Sequence, residues 1–313
     1  MNLPRKIQLT GGNTYTVSLP HEWIDRLKIK KGDHVYITDN TDGTLTFSTK
    51  QTKSDTKVYT INITEGTHAT MRNIVAAYIG GATKIVLKGK GTAIVAEQAR
   101  QILSGVEIIE ENDEGIVLSI VKFDDLDIDD IMKREFNVTK SMFGLVSDVC
   151  RGHGNLVEVS KKEEAVDRLY ILVLRNLILS ATKQKEAIFK AVVAKSIEKV
   201  GDHLVDLCKS AEDAGRSEWL ADLVDCACDV YTQAFETFAK NEPNSKNFKN
   251  AMTKYKEIYH KADAILKKEK NVSKMLILLI LLEKCNKVIR YSEDIMESNT
   301  DIIFARMESE EKD

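Results

Sequence analysis

The chain has 313 residues, of which 43% are hydrophobic, and a formal net charge of −3. This length predicts two or three domains, and the slight acidic excess means that any contact with nucleic acid must come from a local basic patch. The sequence has no apolar run of about 20 residues, which excludes a transmembrane helix, and no secretion leader. The five cysteines are scattered without zinc spacing. We therefore expect reduced thiols and a cytoplasmic protein.

Residues 1–50 alternate like short strands on either side of a short helix that follows Pro20. Gly11-Gly12-Asn13 and Asp42-Gly43 have the composition of hairpin turns. Fifty residues with so little apolar content bury a poor core alone. We therefore expect an intertwined dimer in this segment.

The order of these elements, with the pieces TYTVSLPHEW and IKKGDHVYI, resembles the SpoVT/AbrB DNA-binding domain. The resemblance implies a dimeric swapped-hairpin β-barrel that contacts DNA through its first strands. The corresponding DNA-binding residues are Arg5, Lys6, Gln8, Asn13, Thr14 and Tyr15. The segment has seven Lys/Arg against five Asp/Glu. A net charge of only about +2 is weak for a DNA-binding domain, so a barrel that only dimerises the chain is the alternative.

Residues 51–124 alternate between strand and helix patterns in the order β-α-β-α-β-β. This order predicts a small α/β sandwich. None of its residues forms a catalytic pattern. We interpret this second domain as a spacer or a further dimer contact.

From residue 127 to 306 the pattern is helical, after an acidic segment, FDDLDIDDIM, that suits a linker and helix cap. Short connections between six helices predict antiparallel neighbours, arranged as two three-helix bundles. The predicted helices are 127–151, 158–182, 185–213, 217–241, 245–270 and 273–306.

Two of these helices carry pairs of carboxylates on their apolar stripe. Glu163 and Asp167 are four residues apart, as are Glu198 and Asp202, so each pair shares one face of its helix. Facing carboxylates need a compensating cation. That cation is either a metal ion, with Asp206 one turn further as an additional ligand, or basic side chains. The nearby basic residues are Arg168, Arg175 and Lys199, and His203 is predicted to be a packed or surface histidine.

The Glu163-x-x-x-Asp167 pair before RLY, and the later IEKVGDHLVDL, resemble the carboxylate helices of a PhoU domain. That family has two similar three-helix bundles, binds metal clusters, usually of iron or zinc, through E/D-x-x-x-D pairs, and restrains phosphate uptake. In the second half, Tyr259 and Lys287 stand where the pattern wants acids. The resemblance therefore implies a metal at the first bundle only. We expect Lys287 to pair with Glu283 or Asp263 in the second.

Two functions follow from these resemblances. The first is a regulator of phosphate uptake that couples a dimeric DNA-binding domain to a metal-binding helical domain. The alternative is a cytoplasmic adaptor that restrains a phosphate transporter, through its ATPase subunit, or a sensor kinase, with the barrel serving only dimerisation. An enzyme is not expected, because di-iron bundles use Glu-x-x-His ligands and neither carboxylate pair has that histidine.

Overall fold

The structure, a computed structural model, describes residues 4–39, 45–49, 56–63, 67–121, 126–180, 184–243 and 245–310. It divides into two compact units, residues 1–56 and 57–313. The smaller unit has two antiparallel strand pairs. The first pair meets at Gly11 and Gly12, whose positive φ angles of 65° and 91° are those that glycine adopts readily. The elements are β1 Gln8–Thr10, β2 Thr14–Thr16, α1 His21–Leu27, β3 Tyr36–Asp39 and β4 Leu45–Ser48.

The smaller unit has no core of its own among its described residues, none of which is buried. Its large apolar side chains face outward, and the exposed fraction reaches 72% for Ile7 and 74% for Tyr15. The predicted strand-rich N-terminal unit is confirmed. The predicted Asp42-Gly43 turn lies outside the described residues, although β3 and β4 pair in antiparallel register on either side of it.

The larger unit begins with the predicted β-α-β-α-β-β order, which is confirmed. The four strands form one sheet in the order β5-β6-β8-β7, with β5 parallel to β6 and the other neighbours antiparallel. Ile85, Leu87 and Leu118 lie at the centre of its core. The elements are β5 Val58–Ile63, α2 Thr67–Ile79, β6 Lys84–Gly89, α3 Thr92–Ile102, β7 Val106–Asn112 and β8 Gly115–Ile120.

Six helices follow, close to the predicted bounds, and the helical region is confirmed. Helices α4, α5 and α6 pack on one another, and α7 packs on α8 and α9. Contacts of α6 with α9, and of α4 with α7, join the two groups around a single core. The helices are α4 Ile128–Cys150, α5 Leu156–Leu179, α6 Gln184–Ala214, α7 Glu218–Ala239, α8 Lys246–Leu266 and α9 Val272–Glu310.

Side-chain caps begin several of these helices where the sequence offers a short polar residue. The Asp127 carboxylate accepts the Asp129 backbone N–H at 2.9 Å, as the predicted acidic cap requires. The Asn155 side chain likewise accepts the N–H of Glu158 at 3.2 Å. These caps set where α4 and α5 start, and so fix the register of the carboxylates on α5. Residues 122–125 of the acidic linker lie outside the described chain.

Two arginines of α5 attach the α/β sheet layer to the helical region. The buried Arg175 guanidinium donates to the backbone oxygens of Tyr78, in the last turn of α2, and of Ala82, just after that helix, and lies over the Tyr78 ring. Arg168 donates to the Gln101 oxygen near the end of α3, at 2.6 Å. Both side chains bind helix-end carbonyls, where cations are favourable. The structure therefore does not support Arg168 and Arg175 as counter-charges for the carboxylates.

Across the described residues, no helix is long and apolar enough to cross a membrane. All five cysteines are free thiols. The paired carboxylates of α5 and α6 are the prominent chemical feature of the helical region.

Candidate metal centre

Three carboxylates from two helices converge at one place in the first bundle. Glu163 and Asp167 project from α5 and Asp202 from α6, and one oxygen of each lies within 4.8 Å of the others. All three side chains are partly buried. The four-residue spacing places the two α5 acids on one face, and the packing of α5 on α6 brings Asp202 opposite them.

Burial and the charges of neighbouring acids make Glu163 and Asp167 hard to ionise in the protein alone. Burial, then the charges of Asp167 and Asp202, raise the pKa of Glu163 to about 7. Burial, then Glu198 and Asp202, raise the pKa of Asp167 to about 6. A cation placed among the three oxygens would offset both the cost of burying these charges and their mutual repulsion.

The other two predicted ligands lie beside this group without joining it. In the structure, Glu198 and Asp206 each pair with lysine side chains. The largely buried Glu198 pairs with Lys195 at 2.7 Å and Lys199 at 3.5 Å, on its own helix. Asp206 accepts a hydrogen bond from Lys284 of α9 at 2.6 Å, which lowers its pKa. Sequence spacing placed the acids of each helix on one face of that helix, whereas packing of α9 on α6 brings Lys284 to Asp206.

Lys199 supplies the internal cation that the sequence left as an alternative to metal. Its Nζ lies 2.5 Å from Asp202 and 3.5 Å from Glu198, and bridges the two acids of α6. Partial burial disfavours its charge, but the hydrogen bond to Asp202 and the charge of Glu198 raise its pKa overall. A metal ion that uses Asp202 must therefore compete with this ammonium group.

Glu135 of α4 is a residue at this site that the sequence analysis missed. It is fully buried, and within the described part of the chain neither carboxylate oxygen has a hydrogen-bond partner. Burial, then the charges of Glu198 and Asp167, raise its pKa well above the ordinary value. Its position in the apolar stripe of α4, four residues after Ile131, was the available signal. The acid cluster thus extends from the surface into the core.

The donor set fits a hard metal ion. The three clustered groups offer only carboxylate oxygens, and an unpartnered buried carboxylate lies behind them. Such donors suit iron, manganese, magnesium or calcium better than zinc, which takes nitrogen and sulfur ligands more often. An ion held by Glu163, Asp167 and Asp202 would stabilise charges that otherwise repel.

Two known families match parts of the chain. The family described as PhoU domain matches residues 132–211, which run from α4 into the last turn of α6 and include Glu135 and the five predicted metal ligands. The chain contains a PhoU domain. The family described as antidote-toxin recognition MazE, bacterial antitoxin, matches residues 8–51, so the N-terminal unit is of the MazE/AbrB type. Neither the curated proteins nor the solved structures gave a match.

The second group of helices lies beyond the residues matched by the PhoU family, and lysines pair there with Glu283 and Asp263, the two acids of the predicted second site. Lys287 pairs with Glu283 at 3.2 Å, which confirms one of the two pairings predicted for it. Asp263 instead pairs with Lys267 of its own helix at 2.6 Å. Each pair spans one helical turn, so each acid is neutralised within its own helix.

A groove opens beside the carboxylates of the PhoU domain, lined from α5, α6 and α9. His203, predicted to be packed or exposed, is half-buried and stacks on Tyr291 with ring centres 5.6 Å apart. Burial, then the charges of Lys284 and Lys287, lower its pKa, which favours the neutral imidazole. The groove also contains Ser160, Glu163, Lys199, Asp202, Asp206, Lys209 and Lys287.

The residues predicted to contact DNA lie on or just before the first hairpin, and all are exposed. The strand pairing separates them into two sets. Gln8 and Thr14 share one face with Thr10 and Thr16, whose hydroxyls lie 3.2 Å apart. Tyr15 pairs with Leu9 on the opposite, apolar face. Arg5 and Lys6 precede β1, and Asn13 lies in the turn.

Proposed function

We propose that the protein is a dimeric regulator of phosphate homeostasis, in which a metal-binding PhoU domain controls an N-terminal DNA-binding unit. The presence of a PhoU domain and a MazE/AbrB-type domain in one chain supports a regulatory role in phosphate homeostasis. The observation that carries the finer proposal is the convergence of Glu163, Asp167 and Asp202. Both matched families are regulatory, and the proposal assigns the protein no catalytic activity.

The metal would be held by Glu163, Asp167 and Asp202, with Glu135 and Glu198 close enough in the cluster to take part after local rearrangement. Their oxygen donors favour iron over zinc, and a cluster rather than a single ion would use the additional acids. We place the metal in the first group of helices only, because the cluster of three acids found among the described residues lies there, whereas Asp263 and Glu283 each pair with a lysine of their own helix.

Metal analysis of the purified full-length protein tests this assignment. We expect bound metal in the wild type and a loss of most of it in Asp167→Asn, which keeps the side-chain size but removes the charge. The matched control is Asp263→Asn on α8, which should retain wild-type metal content. Equal metal loss in the two variants, or none in either, would refute the assignment.

The DNA-binding part rests on the exposed hairpin. Arg5, Lys6, Gln8, Asn13, Thr14 and Tyr15 are proposed as its DNA contacts, with the two basic residues on phosphates. The exposed apolar side chains of this unit support dimerisation, because a single copy leaves residues such as Leu9 and Ile37 mostly uncovered. A homodimer would cover them and present two hairpins to the duplex.

Binding of genomic DNA fragments measured at several salt concentrations tests this part. Each lost phosphate contact should reduce the slope of log affinity against log salt by about 0.9. We expect Arg5→Ala with Lys6→Ala to flatten the slope, and Lys30→Ala with Lys31→Ala, outside the predicted contact set, to leave it unchanged. Binding without a salt slope would contradict a phosphate-contacting surface.

An adaptor is the second candidate, favoured by the net charge of only about +2 on residues 1–50. In that role the N-terminal unit only dimerises the chain, and the PhoU domain binds the ATPase subunit of a phosphate transporter or a sensor kinase. The absence of DNA binding together with intact dimerisation would favour the adaptor. DNA binding that changes when the metal is removed would favour the regulator, because it demonstrates coupling between the two parts.

A further inference from the structure

Strand β5 lies at one edge of the four-stranded sheet and leaves that edge open. Within the described residues it pairs with β6 alone. The Lys57 oxygen accepts the backbone N–H groups of Thr83 and Lys84, which orients residue 57 toward β6. Because backbone groups alternate along a strand, Val58, Thr60 and Asn62 direct their N–H and C=O groups to the open side.

The two edges of this sheet differ in the features that prevent strand addition. The other edge, β7, carries three exposed glutamates, Glu107, Glu110 and Glu111, and an irregular register between Ile108 and Glu110. Charges and bulges of this kind are the usual protection of an edge strand. β5 has the sequence VYTINI, with no charge, no proline and no register shift. The sheet is protected at one edge and open to pairing at the other.

Apolar side chains at the open edge are incompletely covered. Tyr59 is 41% exposed, and Ile61 and Ile63 are only partly buried although they pack against the core of the sheet. Beside them a groove of about 630 Å³ runs between β5 and α2, where Ala76 and Ala77 leave space. A fifth strand would complete both the hydrogen bonding and the apolar cover.

We propose that β5 pairs antiparallel with β5 of a second copy of this chain, joining two sheets into one of eight strands. The inference rests on the proposed dimerisation of the N-terminal units. Because β5 follows the N-terminal unit in the same chain, a dimer of the N-terminal units places two copies of β5 in one assembly and raises the effective concentration of each for the other.

The segment is complementary to itself about a two-fold axis. With the axis at Thr60, Val58 lies opposite Asn62 of the second copy and the three outward residues form the ladder. Lys57, the nearest charge, lies opposite Ile63 of the second copy, so no like charges meet. Pairing with a strand of an unrelated protein would require a second kind of protein to bind, whereas a second copy of β5 is present in every dimer of this chain.

Amide hydrogen exchange of the purified full-length protein, resolved by residue, tests the pairing. An open edge leaves the amides of Val58, Thr60 and Asn62 in water, whereas those of the β6-facing residues are protected. We expect all of them to exchange slowly, roughly 100-fold or more below the rate of an unprotected amide. Fast exchange at Val58, Thr60 and Asn62 alone would overturn the proposal.

Thr60→Pro provides the matched perturbation, because it removes an outward N–H without removing a hydrogen bond to β6. We expect faster exchange at Val58 and Asn62 in this variant and slow exchange at Ile61. Thr60→Val keeps the N–H and should behave like the wild type. Unchanged exchange at Val58 and Asn62 in the proline variant, with the fold intact by circular dichroism, would contradict the pairing.

The molecular mass of the protein in solution distinguishes failure of β5 pairing from failure of the proposed N-terminal dimerisation. A dimer with fast exchange at the three outward amides would refute β5 pairing and leave N-terminal dimerisation intact. A monomer would refute both. The proline variant should remain a dimer through its N-terminal units, and its DNA binding should retain the wild-type salt slope.

Discussion

The ammonium group of Lys199 lies 2.5 Å from the carboxylate of Asp202, three residues further along α6. The same nitrogen is 3.5 Å from Glu198, so one lysine neutralises part of the acid cluster from within its own helix. A metal ion and Lys199 are thus alternative cations for the Asp202 carboxylate.

Replacing Lys199 should therefore strengthen metal binding and lower the thermal stability of the metal-free protein. Lys199→Met retains the aliphatic stem and removes the charge. We expect roughly tenfold tighter binding of Mn²⁺ or Fe²⁺, since about 1.4 kcal/mol of competition is removed, together with a lower melting temperature without metal. Titration calorimetry and thermal unfolding measure the two effects. Lys209→Met, the same change in the same groove, should alter both much less.

The raised pKa values of Glu163 and Asp167, about 7 and about 6, predict how stability depends on pH. Between roughly pH 4 and pH 7 the folded chain holds protons that the unfolded chain has released. The free energy of unfolding of the metal-free protein therefore falls as pH rises through this window. Urea unfolding at pH 5 and pH 7 measures the change, and Glu163→Gln should reduce it.

Metal affinity should depend on pH in the opposite direction. The carboxylates bind a metal ion only after losing their protons, so affinity should rise from pH 5 to pH 7.5 and binding should release protons. Calorimetry in buffers of different ionisation enthalpy counts the protons released. An affinity independent of pH would indicate that Glu163 and Asp167 are not the ligands.

Replacing Glu135 should have different effects on the stability of the metal-free protein and on metal affinity. Glu135→Gln removes a buried carboxyl group near Glu198 and Asp167 while preserving its size. We expect the metal-free variant to be at least as stable as the wild type, and metal binding to weaken by about tenfold if this oxygen reaches the ion. Unfolding and metal titration of one preparation measure both. Loss of stability with unchanged metal affinity would make Glu135 a structural residue instead.

The packing of the α/β sheet layer on the helical region should depend on Arg175 far more than on Arg168. Arg175→Met leaves two buried backbone oxygens, those of Tyr78 and Ala82, without their donor. We expect a cost of about 2–4 kcal/mol, seen as faster amide exchange in α2. Arg168→Met removes one exposed hydrogen bond and should cost under about 1 kcal/mol. Equal effects would contradict this division of roles.

Much of the architecture was determined by the sequence itself. Alternation of apolar residues, the Gly11-Gly12 turn and caps such as Asp127 act over a few residues, so they predicted the order of strands and helices before any tertiary contact was known. The four-residue spacing of Glu163 and Asp167 likewise predicted a shared helical face, because helix geometry alone places them there.

The composition of the acid cluster was decided only by the tertiary structure. Whether a carboxylate faces a metal site or a lysine depends on which helix lies opposite, as Asp206 and Lys284, 78 positions apart, demonstrate. Glu135 joins the cluster from α4, and Arg168 and Arg175 turn away from it to the ends of α3 and α2. Such pairings depend on packing between distant segments, which local periodicity does not encode.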